Sequence, residues 1–326
     1  MEIMAANHSS YPRIGDGLEQ QAHRQAYSKR EKGEISEEEF ERVLEKVAKE
    51  AIEEQVGAGL ELVTDGLIRW YDPISHFSRG FGCDVNGLLR FFDTNFYFRQ
   101  PIVNGKVSWK GPTVVREFSF AKGVSPKPVK AVVTGPYTLA KLSINRSGAD
   151  IKSLAESFAG AVAREVKELS KAGAGIIQVE EPAILKNTDD IGIFTSAIED
   201  VADERGQAEI MLCTYFGDAS PIYSELVELP VDGLGFDFTY SPCLADEIIM
   251  EGCDKNLGLG VIDGRNTKMD QTREVLGLLE KILPKVRSAR VYLTPSCGIG
   301  DYLPREVAFK KLQKVAEVAK KAEELI

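Results

Sequence analysis

Eight short apolar runs set the tightest condition on what this chain can fold into. They lie at 2–10 (EIMAANHSS), 60–66 (LELVTDG), 129–136 (VKAVVTGP), 176–182 (IIQVEEP), 209–216 (EIMLCTYF), 233–239 (GLGFDFT), 256–263 (NLGLGVID) and 291–298 (VYLTPSCG). Each is nearly continuous in apolar residues rather than alternating, which suits parallel strands covered on both faces. Most are followed by a segment with helical spacing. One such segment opens with Ser36 and Glu39 in capping-box register and runs out into glycines, the start and stop signals of a helix. Strands alternating with helices make βαβ units, and eight of them predict a closed (β/α)8 TIM barrel of the α/β class, one domain over residues 1–326. An open doubly wound sheet is the other arrangement such a pattern allows.

One connection does not fit the repeat. Residues 67–128 are aromatic, punctuated by glycine and long for a loop. Connections of that length are usually lids or small subdomains. The expectation is a β-rich insertion after the second strand, lying over the mouth at the carboxyl ends of the strands.

Charge and composition narrow the function. The 326-residue chain has a net charge of −10, so the basic footprint of a nucleic-acid binder is missing. No apolar run reaches the ~18 residues a membrane span needs. The opening MEIMAANHSSYPRIG lacks a basic stretch followed by an apolar one, so no secretory signal and a cytoplasmic location are expected. The five cysteines, an odd number, argue against a disulfide framework and for free thiols that are either packed or chemical.

In a barrel the chemistry sits where the strands end at their carboxyl side. Those ends read His8-Ser9-Ser10, Thr64-Asp65, Thr134-Gly135, Glu180-Glu181, Cys213-Thr214-Tyr215, Asp237, Asp263 and Ser296-Cys297. So many carboxylates and thiols on one face cost desolvation and like-charge repulsion unless a cation reconciles them. Taken alone, Cys213 reads as a packed core thiol. With Cys297, and with Asp237 between them in barrel order, it reads as a zinc ligand. Two sulfurs and one oxygen would leave a coordination place open, as catalytic sites do. Adjacent residues of a strand face opposite ways, so only one of Glu180 and Glu181 can look into the mouth. There a carboxylate suits a substrate ammonium group or proton transfer. Asp263 and Glu181 are the candidates for proton transfer. Ser10, His8, Asp65, Glu180 and Arg265 are the candidates for substrate contact, although the DGRN stretch around Arg265 also reads as an ordinary turn.

Several stretches in order, SSYPRIG, VTDG, IIQVEEPA, YFGDASPIYSELVELPVDGLGFDF, LGLGVIDGRN and TPSCG, resemble the cobalamin-independent methionine synthase family over nearly the whole chain. The large members of that family hold two barrels, whereas this chain is one barrel long. YPRIG, TYFGD and GVIDGRN are similar to the metal-free barrel, VTDG and TPSCGIGDYLPREVAFKKL to the catalytic one. The resemblance implies a zinc held by a His-x-Cys pair, an acid and a late Cys. Carried across, these are Cys213, Asp237 and Cys297, but Met211 stands where the family has His, leaving Cys243, His76 or His8 as the substitute. It also implies that Ser10 and Glu180 hold homocysteine. The function expected from the resemblance is a zinc-dependent methyltransferase that activates a small-molecule thiol and methylates it to methionine. The donor would be methylcobalamin or a methylated corrinoid protein. The alternatives are another zinc-thiol alkyltransferase, such as an epoxide-opening one, and a non-catalytic binding barrel.

Overall fold

The computed structural model describes residues 1–241 and 243–325. Its strands are β1 (Glu2–Ala5), β2 (Asp84–Arg90), β3 (Tyr97–Val103), β4 (Ala131–Thr134), β5 (Ile144–Asn145), β6 (Ile176–Glu180), β7 (Glu209–Thr214), β8 (Gly233–Asp237), β9 (Asn256–Ile262) and β10 (Arg290–Pro295). Seven of them pair in parallel, in the order β1-β10-β9-β8-β7-β6-β4. The expected second barrel strand, 60–66, survives only as two parallel bridges, Ala6 with Leu62 and Val63 with Val129. These join β1 to the approach to β4 and seal the ring, so the sheet is a TIM barrel.

The second strand is short for a local reason. The Gln55 side chain, reaching from the preceding helix, takes both backbone groups of Thr64: the Thr64 N–H donates to Gln55 Oε1 at 3.0 Å and Gln55 Nε2 donates to the Thr64 carbonyl at 3.1 Å. Side-chain partners thereby replace ladder partners, and the chain turns at once through Gly66 (φ 72°) and Leu67 (φ 53°). The helix that supplies Gln55, Glu37–Gly57, begins with the capping box foreseen at Ser36 and Glu39.

Two of the three clusters of buried apolar side chains belong to the barrel, the third being Ala26, Phe40 and Leu44. The larger core lies between the sheet and the helices and includes Phe158, Val162 and Leu312. A small separate cluster of Ala6, Leu62, Met211, Cys213 and Tyr292 fills the inside of the barrel. The amphipathic helices Ile151–Lys171 and Arg305–Ala322 bury one face each against the sheet.

The 67–128 connection, expected to be β-rich, contains a hairpin, β2 antiparallel to β3, and β3 continues in parallel onto β5. It also contains helices, Ser75–Gly80 and Val115–Val124, which its aromatic, Gly-punctuated sequence had hidden. At the hairpin turn, Phe91 and Phe92 meet Phe216 edge-on or tilted, with ring centroids 6.1 and 5.8 Å away, and Phe96 meets Tyr302 at 6.4 Å.

Candidate active site at the barrel mouth

β6 and β7 build the centre of the site. Glu180, the last residue of β6, is 3% exposed. Tyr215 OH donates to its Oε2 at 2.8 Å and Gln178 Nε2 to its Oε1 at 2.9 Å. His8 Nδ1 stands 3.4 Å from the same Oε1 and 3.1 Å from Ser9 Oγ. Burial opposes the charge on Glu180, but the hydrogen bonds from His8, Tyr215 and Ser9 outweigh it and hold the carboxyl below the ordinary glutamate value. A buried carboxylate ringed by donors is thus ready-made at the mouth.

Above it lies a small cavity of about 30 Å³, lined by Ser9, Ser10, Glu180, Tyr215, Gly298 and Tyr302, and roofed by Phe91 and Phe96. Ser10 Oγ accepts the Gly300 N–H at 3.0 Å, which fastens the first strand's end to the loop after β10. That loop passes so close that a side chain at Gly298 would meet Ser10 Oγ at 2.5 Å. Arg13 and Trp70 line both this cavity and a wide groove of about 760 Å³ that opens from it past Arg24, Tyr71 and Arg99. Three non-glycine residues of the site, Leu67, Phe92 and Phe216, hold left-handed backbone angles (φ 53°, 52° and 66°), strain of the kind that gathers at functional sites.

The other residues expected at the site fall in different places. Glu181 faces away from the mouth and anchors the start of helix Pro136–Lys141. Its carboxylate accepts the N–H groups of Tyr137 and Thr138, both at 2.8 Å, and the Thr138 hydroxyl. A side chain at Gly135 would strike it at 2.3 Å, so glycine is required there. Burial pushes Glu181 up to about 7 in spite of those donors. Asp263 ties its own loop: Oδ1 accepts the Arg265 N–H at 2.8 Å, and Oδ2 accepts the Asn266 side chain. Asp65 accepts the Leu67 N–H at 3.1 Å, fixing the turn, and burial pushes it up to about 6. Arg265 lies flat over Tyr240 at 3.9 Å, donates to its hydroxyl, and faces Asp93 at 3.9 Å.

The three expected zinc ligands do not form a set. Among the described residues, no three His, Cys, Asp or Glu side chains stand close enough to hold a metal ion. The reason is strand alternation. Met211, Cys213 and Tyr215 point the same way from β7, but Cys213 belongs to the packed interior with Met211 and Tyr292. The next inward position, at the mouth, is taken by Tyr215. Cys213 Sγ occupies the space that the missing side chain of Gly235 leaves, 2.3 Å from where a Cβ would be. Cys297 is fully buried, with its Sγ against Gly264. Asp237 already accepts from Thr239 N at 2.9 Å, from the Thr239 hydroxyl and from Phe216 N at 3.4 Å. Of the substitutes, His76 is stacked on Trp70 at 5.2 Å and Cys243 is exposed. The residues present do not fit a zinc centre made from Cys213, Asp237 and Cys297.

Sequence reasoning placed Tyr215 at a strand end without giving it a role, and missed Gln178, Lys130, Arg13 and Trp70. Period-2 alternation applied back and forth from Cys213 and Glu180 finds Tyr215 and Gln178. The hairpin phenylalanines belong to the insertion expected over the mouth, and Arg13 lies three residues after Ser10, but the sequence does not say which of their side chains line the cavity.

A closed parallel barrel with a donor-ringed carboxylate and an open cavity at the carboxyl ends of its strands has the build of an enzyme. The family model described as the cobalamin-independent synthase catalytic domain matches residues 9–321. The methionine synthase of Saccharolobus solfataricus is 32% identical over 294 residues, which is 88% of this chain and 87% of that protein. That of Sulfurisphaera tokodaii is 30% identical over 302 residues, 91% of this chain and 87% of that one. Among solved structures, a B12-independent methionine synthase from Shewanella in complex with selenomethionine superposes with a TM-score of 0.81 at 20% identity, covering 99% of this chain and 98% of that one. A putative vitamin-B12-independent methionine synthase from Listeria monocytogenes gives 0.77 at 18% identity, covering 98% of each chain. The chain belongs to the cobalamin-independent synthase catalytic-domain family, and is an enzyme of the methyltransferase class. No described helix is long and apolar enough to cross a membrane.

Proposed function

We propose that this enzyme transfers a methyl group to the thiol of homocysteine, giving methionine, in the cavity above Glu180. The observation that carries the reading is the buried carboxylate of Glu180. Hydrogen bonds from His8, Tyr215 and Ser9 keep it below the ordinary glutamate value, and it opens onto the mouth cavity. An ammonium group there completes a charge-assisted pair. Ser10 and the Gly298–Gly300 loop then face the substrate carboxylate, with Arg13 at the rim. The selenomethionine in the Shewanella structure is an amino acid of the product's shape, which supports the same reading. In the reaction a carbon–sulfur bond forms as the methyl group leaves its donor without the bonding electron pair, and the thiol loses its proton. The chain's own part is to fix the amino acid and keep water from the sulfur.

The groove beyond Arg13 and Trp70 suits a large donor that carries an anionic group, since Arg24, Arg99 and Arg305 line it among Asp16, Glu31 and Asp301. A methylated corrinoid, whose nucleotide tail carries a phosphate, fits that chemistry. Residues 67–128, an insertion in a single barrel domain, are the lid in this reading: Phe91 and Phe96 roof the cavity. A cytoplasmic location completes it. Among the described residues zinc chemistry has no ready donor set.

The test is methionine formation from homocysteine and methylcobalamin, read by mass spectrometry. Glu180→Gln is expected to weaken homocysteine binding roughly ten- to a hundred-fold, the worth of one charge-assisted hydrogen bond. Homocysteine binding that is equally tight in wild type and variant, or no binding at all, overturns the reading.

A further inference from the structure

Each of the two thiols expected to share an ion has a fixed protein cation of its own. Cys213 lines an interior chamber with Lys130, Gln178, Met211 and Tyr292. Lys130 is 5% exposed, and its Nζ donates to Gln178 Oε1 at 2.5 Å. Desolvation lowers this lysine to about 8, while Cys213 and Glu180 pull the other way. Burial pushes the Cys213 thiol up to about 12. Cys297 belongs to a different corner. Its Sγ lies 3.1 Å from where a side chain at Gly264 would begin, next in sequence to Arg265. The Arg265 guanidinium sits between Tyr240 and Phe216, 3.9 and 5.4 Å from their ring centres. Phe216 in turn donates its N–H to Asp237. Burial raises Cys297 well above the ordinary thiol value, with Asp237 adding to the rise and Arg265 opposing it.

We propose that this mouth is not a transition-metal centre: Lys130 beside Cys213 and Arg265 beside the Asp237–Cys297 corner supply the positive charge that family resemblance would assign to zinc. A divalent ion would have to enter beside a resident cation in either chamber, and repulsion between close like charges is costly where water is scarce. It would also have to draw together donors that belong to separate packed layers, one of them a carboxylate whose oxygens are already engaged. The inference does not depend on homocysteine being the substrate.

The test is metal content and cobalt binding, neither of which needs turnover. Protein purified without chelator from zinc-supplemented cells is analysed by mass spectrometry of the elements. Titration with Co²⁺ is then followed in the near-ultraviolet, where cobalt–thiolate bonds absorb. The expected results are zinc well below one equivalent, no thiolate band, and unfolding temperature and homocysteine affinity unchanged by chelator. Zinc that persists unchanged in Cys213→Ser and Cys297→Ser lies elsewhere on the surface and supports the inference. One equivalent lost in either variant, with the far-ultraviolet spectrum of the wild type retained, overturns it. Arg265→Asp removes the cation and adds a third anionic donor beside Asp237 and Cys297, so a cobalt–thiolate band is expected to appear. Its absence in a folded variant overturns the assignment of Arg265. Failure of the methyl-transfer reading would show instead as absent homocysteine binding, with the metal results unaffected.

Discussion

Glu180 and Glu181 are neighbours that do opposite work, and the difference is set by which face of β6 each leaves. Glu180 gathers donors at the mouth, whereas Glu181 holds the first turn of a helix outside the barrel. His23 makes a third case. Burial, helped by the charge of Arg13, lowers it from 6.5 to about 4, against the opposing hydrogen bond with the Ile68 carbonyl at 3.0 Å. A histidine with a depressed folded value is protonated more readily in the unfolded chain. Its contribution to stability is therefore present above about 6.5 and lost as pH falls towards about 4. His23→Gln, which keeps a donor for Ile68, is expected to flatten the loss of stability over that window. Urea unfolding of both proteins at neutral pH and at pH near 4.5 checks it, and equal slopes would refute it.

At the scale of elements, the hairpin β2–β3 is the part that most changes what the barrel can do. Phe91 is 2% exposed and touches Phe96, Phe98 and Phe216 with centroids about 6 Å apart. Phe91→Ala removes a buried ring and leaves a cavity, at a cost of about 3–5 kcal/mol. It also unroofs the site, so homocysteine affinity is expected to fall along with the thermal midpoint. A variant that loses stability yet binds as the wild type would deny the hairpin its covering role. The elements themselves were largely legible. Seven of the eight apolar runs fall on barrel strands, and Ser36 caps its helix as read. The second strand was overread because Gln55, nine residues before Thr64, takes the backbone groups a ladder would use. The helices inside 67–128 were missed because aromatic and glycine content masked their spacing.

For the molecule as a whole, the sequence indicated which end of the barrel would be polar but not which side chains would meet there. Strand ends can be read from hydrophobic runs. The depth of each residue along the barrel axis cannot, because it depends on the stagger between strands. Cys213 is the example: by sequence it ends a strand, yet by stagger it sits one layer below the mouth, paired with Gly235 and filling that glycine's space. The same limit applied to the groove, where Arg13, Arg24 and Arg99 come from three separate segments. With Arg305 its four guanidinium groups outnumber Asp16, Glu31 and Asp301 on the same walls, which predicts that affinity for a donor bearing an anionic group falls with added salt. Methylcobalamin-dependent turnover measured at low and at moderate ionic strength checks that. A rate insensitive to salt would point the donor elsewhere.

The stave formed by residues 60–64 is glued on each side by a single bridge, Ala6–Leu62 and Val63–Val129, whereas the other staves share ladders of four or five residue pairs. A ring opens first along its thinnest seam. The amides of Val63 and Lys130 should therefore trade hydrogen for deuterium sooner than those of Leu212 or Leu234. The roof over the mouth begins at that seam, since Leu67 and the hairpin follow directly from it. Breathing there would let bulky molecules come and go without loosening the staves that carry Glu180 and Tyr215.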